Sequence, residues 1–315
     1  MDPHLEITRA IRIGKPGEPA YAVAQSANGQ YTAVTNETGL TLFDAGGTVR
    51  LRYPPQAWPI HLVTAPGDFS YLLVGTRRGG LTRLNLLREG ETFQSREQVL
   101  YFADNDLNTL SLSSERELLG VGHYGPALAV LDIEGQTLWR RHPDSGNATN
   151  GQFWSVALDE VGHRLYIASA GPGTNQLAVL EADSGVWQNG RSLDGRITRM
   201  TTLPQNRGVV IVLNDGYSYW LQVYDSSLDD LLWENEYGDP VTAVASDRSQ
   251  ALLAIATGYQ GNVTLMNAET GAALTEPLPT QSYVNDIAMS RGSSITAVTE
   301  DGSLYLIRYQ SASMF

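Results

Sequence analysis

Five histidines, His4, His61, His123, His142 and His163, are where acid-base or metal chemistry would first be sought. They fall in the N-terminal segment and in different strands and loops, with no pair at the spacing that lets two imidazoles share an ion. The chain has no cysteine, which removes disulfides, thiolate metal sites and a thiol nucleophile. No serine stands in a nucleophile-elbow sequence. The "GPGT" at Gly171 to Thr174 has glycines but no following helix N-terminus to receive a phosphate. One acidic run, Asp104 to Glu115, places Asp104, Asp106, Asn108 and Glu115 at positions 1, 3, 5 and 12 of a calcium-loop spacing. Thr109 stands where that loop needs glycine, and Leu107 to Leu112 reads better as a strand. The residues thus lead to an expectation of no metal, no cofactor and no catalytic residue.

What remains is recognition chemistry. Tyr217, Tyr219 and Tyr259 lie in polar, glycine-containing stretches, where a large amphipathic ring gives contact area at little entropic cost. Whether such rings share a face depends on the elements that carry them.

Those elements repeat. Seven segments combine a turn with a short apolar strand: "NGQYTAV", "DFSYLLV", "ERELLGV", "GHRLYIA", "RGVVIVL", "SQALLAI" and "SSITAV". Aligning Val34, Val74, Val121, Ala168, Val212, Ile255 and Val298 gives periods of 40 to 47 residues, enough for four strands and their turns. A second phrase recurs as "LFDAGGTVRLRY", "VLDIEGQTLWRR", "VLEADSGVWQNG", "VYDSSLDDLLWE" and "LMNAETGAALTE". An Asp, Glu or Asn opens each of these turns, as expected of a side chain that accepts a bond from the backbone two residues on. Trp139, Trp187 and Trp233 follow as interblade packing. In the sixth unit, Val241 to Ser246, Ala251 to Ala256, Gly261 to Met266 and the run after "NAETG" read as strands A to D. No amphipathic helix of ten residues appears.

The fold class expected is all-β: one seven-bladed β-propeller of four-stranded blades, a single domain over residues 1–315. The seventh unit has only three strands. The N-terminal segment, residues 5–13, alternates Leu5, Ile7, Ile11 and Ile13 and is expected to pair with the C-terminal blade, about 284–309, as its outer strand.

"HRLYIASAGPGTNQLAVLEADSGVWQ" resembles the YVTN-type propeller repeats of prokaryotes, and "DIEGQTLWRRH" and "DDLLWENEYGDPVTAVA" resemble the repeats of PQQ-enzyme-like propellers. The period is close to that of WD40 repeats. The Gly-His and Trp-Asp pairs of WD40 repeats are absent in register, as are the adjacent cysteines of many quinoproteins. The resemblance therefore implies a bacterial propeller and no particular reaction.

In a propeller the D-to-A and B-to-C loops share one face. On that assignment Trp58, His123, Tyr124, Phe153 (or Trp154), Tyr217, Tyr219, Tyr259 and Tyr283 gather there as candidate binding residues, although Trp154 alternates with Val156 and Leu158 as a packing residue would. The insertions "HPDSGNATNG", "AGPGTNQ" and "NDGYSYW" fall largely on the same face.

Formal net charge of -13 and a pI near 4.8 oppose nucleic-acid and anionic-membrane binding. No basic leader or long apolar run is present, so a cytoplasmic location is expected. The function expected first is a non-enzymatic scaffold for a protein or peptide partner. The alternatives are a lactonase-like hydrolase or lyase, with His123, Arg77, Asp215 and Asp239 as its loop candidates, and a carbohydrate-binding propeller.

Overall fold

A computed structural model describes residues 3–311 except 55–58, 103–105, 114, 124–126, 142–151, 162, 172–173, 248–250 and 292–293; for residues 102, 152–154, 170, 171 and 174 it describes the backbone alone.

β1 (His4–Arg12) comes first, and blades follow in chain order. Blade one is β2 (Ala20–Gln25), β3 (Tyr31–Asn36), β4 (Gly39–Asp44) and β5 (Val49–Tyr53). Blade two is β6 (Ile60–Thr64), β7 (Tyr71–Thr76), β8 (Gly80–Glu89) and β9 (Thr92–Phe102). Blade three is β10 (Leu107–Ser113), β11 (Leu118–His123), β12 (Leu128–Asp132) and β13 (Thr137–Arg141). Blade four is β14 (Gln152–Leu158), β15 (Arg164–Gly171), β16 (Thr174–Glu181) and β17 (Trp187–Leu193). Blade five is β18 (Arg196–Thr202), β19 (Gly208–Asn214), β20 (Tyr219–Asp225) and β21 (Leu231–Tyr237). Blade six is β22 (Val241–Ser246), β23 (Leu252–Thr257), β24 (Asn262–Asn267) and β25 (Leu278–Pro279). Blade seven is β26 (Val284–Met289), β27 (Ser294–Thr299) and β28 (Ser303–Gln310), with β1 as its outer strand. Each blade is a four-stranded sheet paired antiparallel, and the fold is a seven-bladed β-propeller. No helix among the described residues is long and apolar enough to cross a membrane.

The chain divides into two compact units, Met1–Ser70 with Leu86–Arg96 and Asp239–Phe315, and Tyr71–Asn85 with Glu97–Gly238. In the first, closure of blade seven goes further than the alternating pattern of the N-terminus foretells. Leu5 pairs with Tyr309 and Ile7 with Ile307, and then the register shifts so that Ile11 pairs with Leu304. The extra residue is Thr8, whose hydroxyl donates to Leu306 O at 3.0 Å. A bulge of one residue exchanges the faces of everything beyond it. Leu5 and Ile7 therefore pack with Ala254, Leu265 and Ile287 on the side of blade six, while Ile11 and Ile13 pack with Val23, Val34 and Phe43 of blade one. One strand thus serves two seams.

The same device recurs on inner strands. Register shifts fall near the start of β2, β10, β14, β18, β22 and β26. The first residue past each shift pairs with Thr35, Gly122, Ala168, Val212, Ala256 and Val298. Those are the structural equivalents. Val34, Val121 and Ile255, chosen from sequence, sit one residue away, although all three are at most 1% exposed. The reason is that these middle strands are buried on both faces, so hydrophobicity shows where the strand is but not which residue faces which way.

Polar residues on inner strands stitch neighbouring blades. In the second unit, Leu158 N donates to Ser111 Oγ at 2.9 Å and Ser113 Oγ to Glu160 O at 2.7 Å. In the first, Val23 N donates to Asp286 Oδ2 at 2.9 Å. Three of the turn openers act as expected: Asp132 Oδ1 accepts from Glu134 N, Asp225 Oδ2 from Ser227 N and Asn267 Oδ1 from Glu269 N, at 2.8 to 3.1 Å, whereas Glu181 accepts from the Ser184 hydroxyl. Trp139 and Trp187 pack against the cluster joining blades three and four, and Trp139 Nε1 donates to Ala182 O at 2.6 Å. The outer strand of blade six is reduced to Leu278–Pro279 plus a bridge from Ala273 to Met266. Pro277 and Pro279 lack the amides a longer strand needs. "REGETFQSREQ" is the end of a long hairpin, β8 to β9, turning at Gly90 with φ +60°. From it Phe93 meets Tyr31 edge-on, with ring centroids 5.2 Å apart.

Candidate functional site

The hairpin joining β19 to β20 is built to display a ring. Asn214 Oδ1 accepts from Gly216 N at 2.7 Å, and Asp215 Oδ1 accepts from the amides of Tyr217 and Ser218 at 2.8 Å each. Asp215 Oδ2 accepts from Trp220 Nε1 at 3.0 Å, and Gly216 supplies the positive φ, +97°. Those amides and the indole hold the Asp215 carboxyl below the usual carboxylate range. With the loop so tied, the Tyr217 side chain stands 96% exposed at its tip. Tyr219 opens β20, half-buried, opposite Tyr237. Ser218 Oγ donates to Glu236 Oε1 at 2.6 Å across the same pair of strands.

The equivalent hairpin of blade six, "GYQG", joins β23 to β24. Gly258 and Gly261 take φ of +75° and +67°, and Gly261 N donates to Gly258 O at 3.2 Å. Thr280 N and Thr280 Oγ1 both donate to Gly261 O, at 2.7 and 2.9 Å. This pins the turn to the segment that carries Tyr283 into β26. A Cβ at Gly261 would lie 2.0 Å from Ser282 O, so the two segments approach as only glycine permits. The result is a pair of rings. Tyr259, 73% exposed, and Tyr283, half-buried, have centroids 6.3 Å apart and planes inclined at 34°.

The remaining residues expected on this face divide. Trp58 and Tyr124 lie outside the described residues, and the side chains of Phe153 and Trp154 on β14 do as well. His123, expected on a loop, is the last residue of β11 and only 2% exposed. Its Nε2 is 3.2 Å from the hydroxyl of Tyr101 on β9, and Arg140 of β13 donates to that same hydroxyl. This cluster, with Tyr101 and His123 buried and Arg140 exposed, ties outer strands of blades two and three, and Tyr101 and Arg140 carried no local sequence signal of it.

Of the four polar loop candidates, Asp215 is used by its own hairpin and His123 by Tyr101. Arg77 is exposed in the β7–β8 turn, and Asp239 is exposed beside the Gly258 turn, whose amide donates to Pro240 O at 2.8 Å. In the calcium-loop stretch Asp104 lies outside the described residues, while Asp106 Oδ1 accepts from Arg78 N at 2.6 Å. Among the described residues no group of three or more His, Asp or Glu is placed to hold a metal. Neither the protein-family models nor the curated proteins give a match to this chain.

Proposed function

We propose that the protein is a non-enzymatic propeller scaffold that binds a protein or peptide partner through tyrosines on its B-to-C hairpins. The observation that carries this reading is Tyr217 and Tyr259, each at the tip of such a hairpin in consecutive blades and the two most exposed aromatic side chains described. A large ring left in water on a loop tied by four side-chain bonds loses little entropy when it is covered. Kinship to the YVTN, PQQ-like and WD40-like propellers of bacteria and a cytoplasmic location belong to the same proposal, the latter resting on the absence of cysteine. So do the negative charge and what it disfavours, nucleic-acid and anionic-membrane partners.

The test is affinity capture from lysate with wild type and with a Tyr217/Tyr219/Tyr259 triple-alanine variant whose melting is unchanged. A stoichiometric partner lost with the variant supports the reading. No partner with either protein, or one retained by the variant, overturns it.

A further inference from the structure

The Tyr259–Tyr283 pair has a chemical context that the Tyr217 hairpin lacks. At 6.3 Å and 34° the two rings do not cover each other's faces, and Tyr259 is largely in solvent. Two acidic residues adjoin the segments that carry the pair. Gly258, next to Tyr259, donates its amide to Pro240 O, and Asp239 Oδ2 lies 3.9 Å from where a Cβ on Gly258 would stand. Glu300 donates its amide to Tyr283 O at 2.9 Å. Both carboxylates are exposed, and neither meets a cationic side chain among the described residues. The neighbouring Asp301 is different, because Arg12 lies 3.3 Å from it and neutralises it.

Electron-rich ring faces, with an acidic residue free of cationic partners on each adjoining segment, attract one kind of group, a cation with a partly apolar body. We propose that Tyr259, Tyr283, Asp239 and Glu300 form a receptor for a single arginine or lysine side chain presented by a basic peptide segment of the partner. This rests on the interaction reading above and adds the partner's chemistry to it. The rings take the flat or methylene part of the side chain, and the carboxylates set the sign of the charge. Long-range attraction to a chain of net charge -13 would add to the association rate and weaken with salt.

The experiment uses the full chain labelled with 3-fluorotyrosine, with the resonances of positions 217, 259 and 283 assigned through Tyr→Phe variants. Tetramethylammonium, an arginine-lysine hexapeptide and a glutamate hexapeptide are the probes. The expected result is that both cationic probes move the Tyr259 and Tyr283 resonances, the glutamate peptide does not, and Tyr217 stays still. Tyr259→Ala should weaken the basic peptide about two- to five-fold, Tyr259→Phe little, and Asp239→Asn with Glu300→Gln about three- to ten-fold. Equal shifts at Tyr217, no shift at Tyr259, or binding unchanged in the Asp239→Asn/Glu300→Gln variant would overturn the proposal, as would a neutral oligosaccharide competing at these rings. Capture of a partner that depends on Tyr259 while no cationic probe binds removes the cation site and leaves the scaffold. A basic peptide bound at this site with no captured protein does the reverse.

Discussion

Two glycines in one four-residue turn should respond very unequally to replacement by alanine. Gly258 and Gly261 both have positive φ, +75° and +67°, so each alanine carries the same left-handed strain, about 1 kcal/mol. Beyond that they differ. A Cβ at Gly258 meets nothing closer than 3.7 Å, an ordinary contact. A Cβ at Gly261 would stand 2.0 Å from Ser282 O and 2.4 Å from Thr280 Oγ1, so the turn must withdraw from the 280–282 segment by more than an ångström. Withdrawal strains or breaks the two bonds from Thr280 to Gly261 O, worth about 1 kcal/mol each. Gly261→Ala should therefore cost about 3 kcal/mol and Gly258→Ala about 1 kcal/mol. Unfolding entropy of about 2.1 cal/mol/K per residue makes each kcal/mol worth about 1.5 °C in a chain of 315 residues. Calorimetry should find Gly261→Ala melting about 4 to 5 °C lower and Gly258→Ala about 1 to 2 °C lower. Because the Gly261 contact holds the turn beside Tyr283, that variant should also lose basic-peptide binding while Gly258→Ala keeps it. Equal melting of the two variants would refute the close approach of the turn to the 280–282 segment.

Removing residues 1–15 should strip Leu5 and Ile13 from two seams, and half-buried Ile7 and Ile11 with them. At about 1.5 to 3 kcal/mol per fully buried side chain the loss is at least about 5 kcal/mol, read as a fall of about 8 °C or more in melting temperature. An unchanged melt would rule out closure by β1. Burial pushes the Asp301 carboxyl up, but hydrogen bonds from Thr299 and Ser303 and the charge on Arg12 outweigh it and leave it below the usual range. A lowered folded pKa means stability that is present above the unfolded value near 4 and is lost as pH falls through the folded value. Melting followed below pH 4 should thus decline less steeply in Asp301→Asn than in wild type. Trp139→Phe removes the indole bond to Ala182 O and some apolar contact, so a loss of about 2 kcal/mol, or about 3 °C, is expected by thermal denaturation.

The count of blades and strands and the pairing of the N-terminus with the last blade were legible in the sequence alone. A period of 40 to 47 residues with turn residues at each break leaves few other architectures, and β22 begins and ends where the sequence pattern places it. The Asp and Asn openers of the C-to-D turns were legible too, since an Asx-type bond is local. Register was not. Alternation in residues 5–13 reads as one apolar face, whereas the bulge at Thr8 divides it between two seams. The site followed the same rule. Tyr217 and Tyr259 were legible as exposed because a polar loop around an aromatic is a local signal. That Tyr259 meets Tyr283, that Asp239 adjoins Gly258 and Glu300 bonds the backbone of Tyr283, and that His123 turns inward to Tyr101 are contacts between residues 17 to 24 positions apart. Sequence determined what can be settled within a few residues, the strands, turns and exposed rings. Only the tertiary structure decided which of them meet, because bulges and close glycine approaches set register through packing that no single segment encodes.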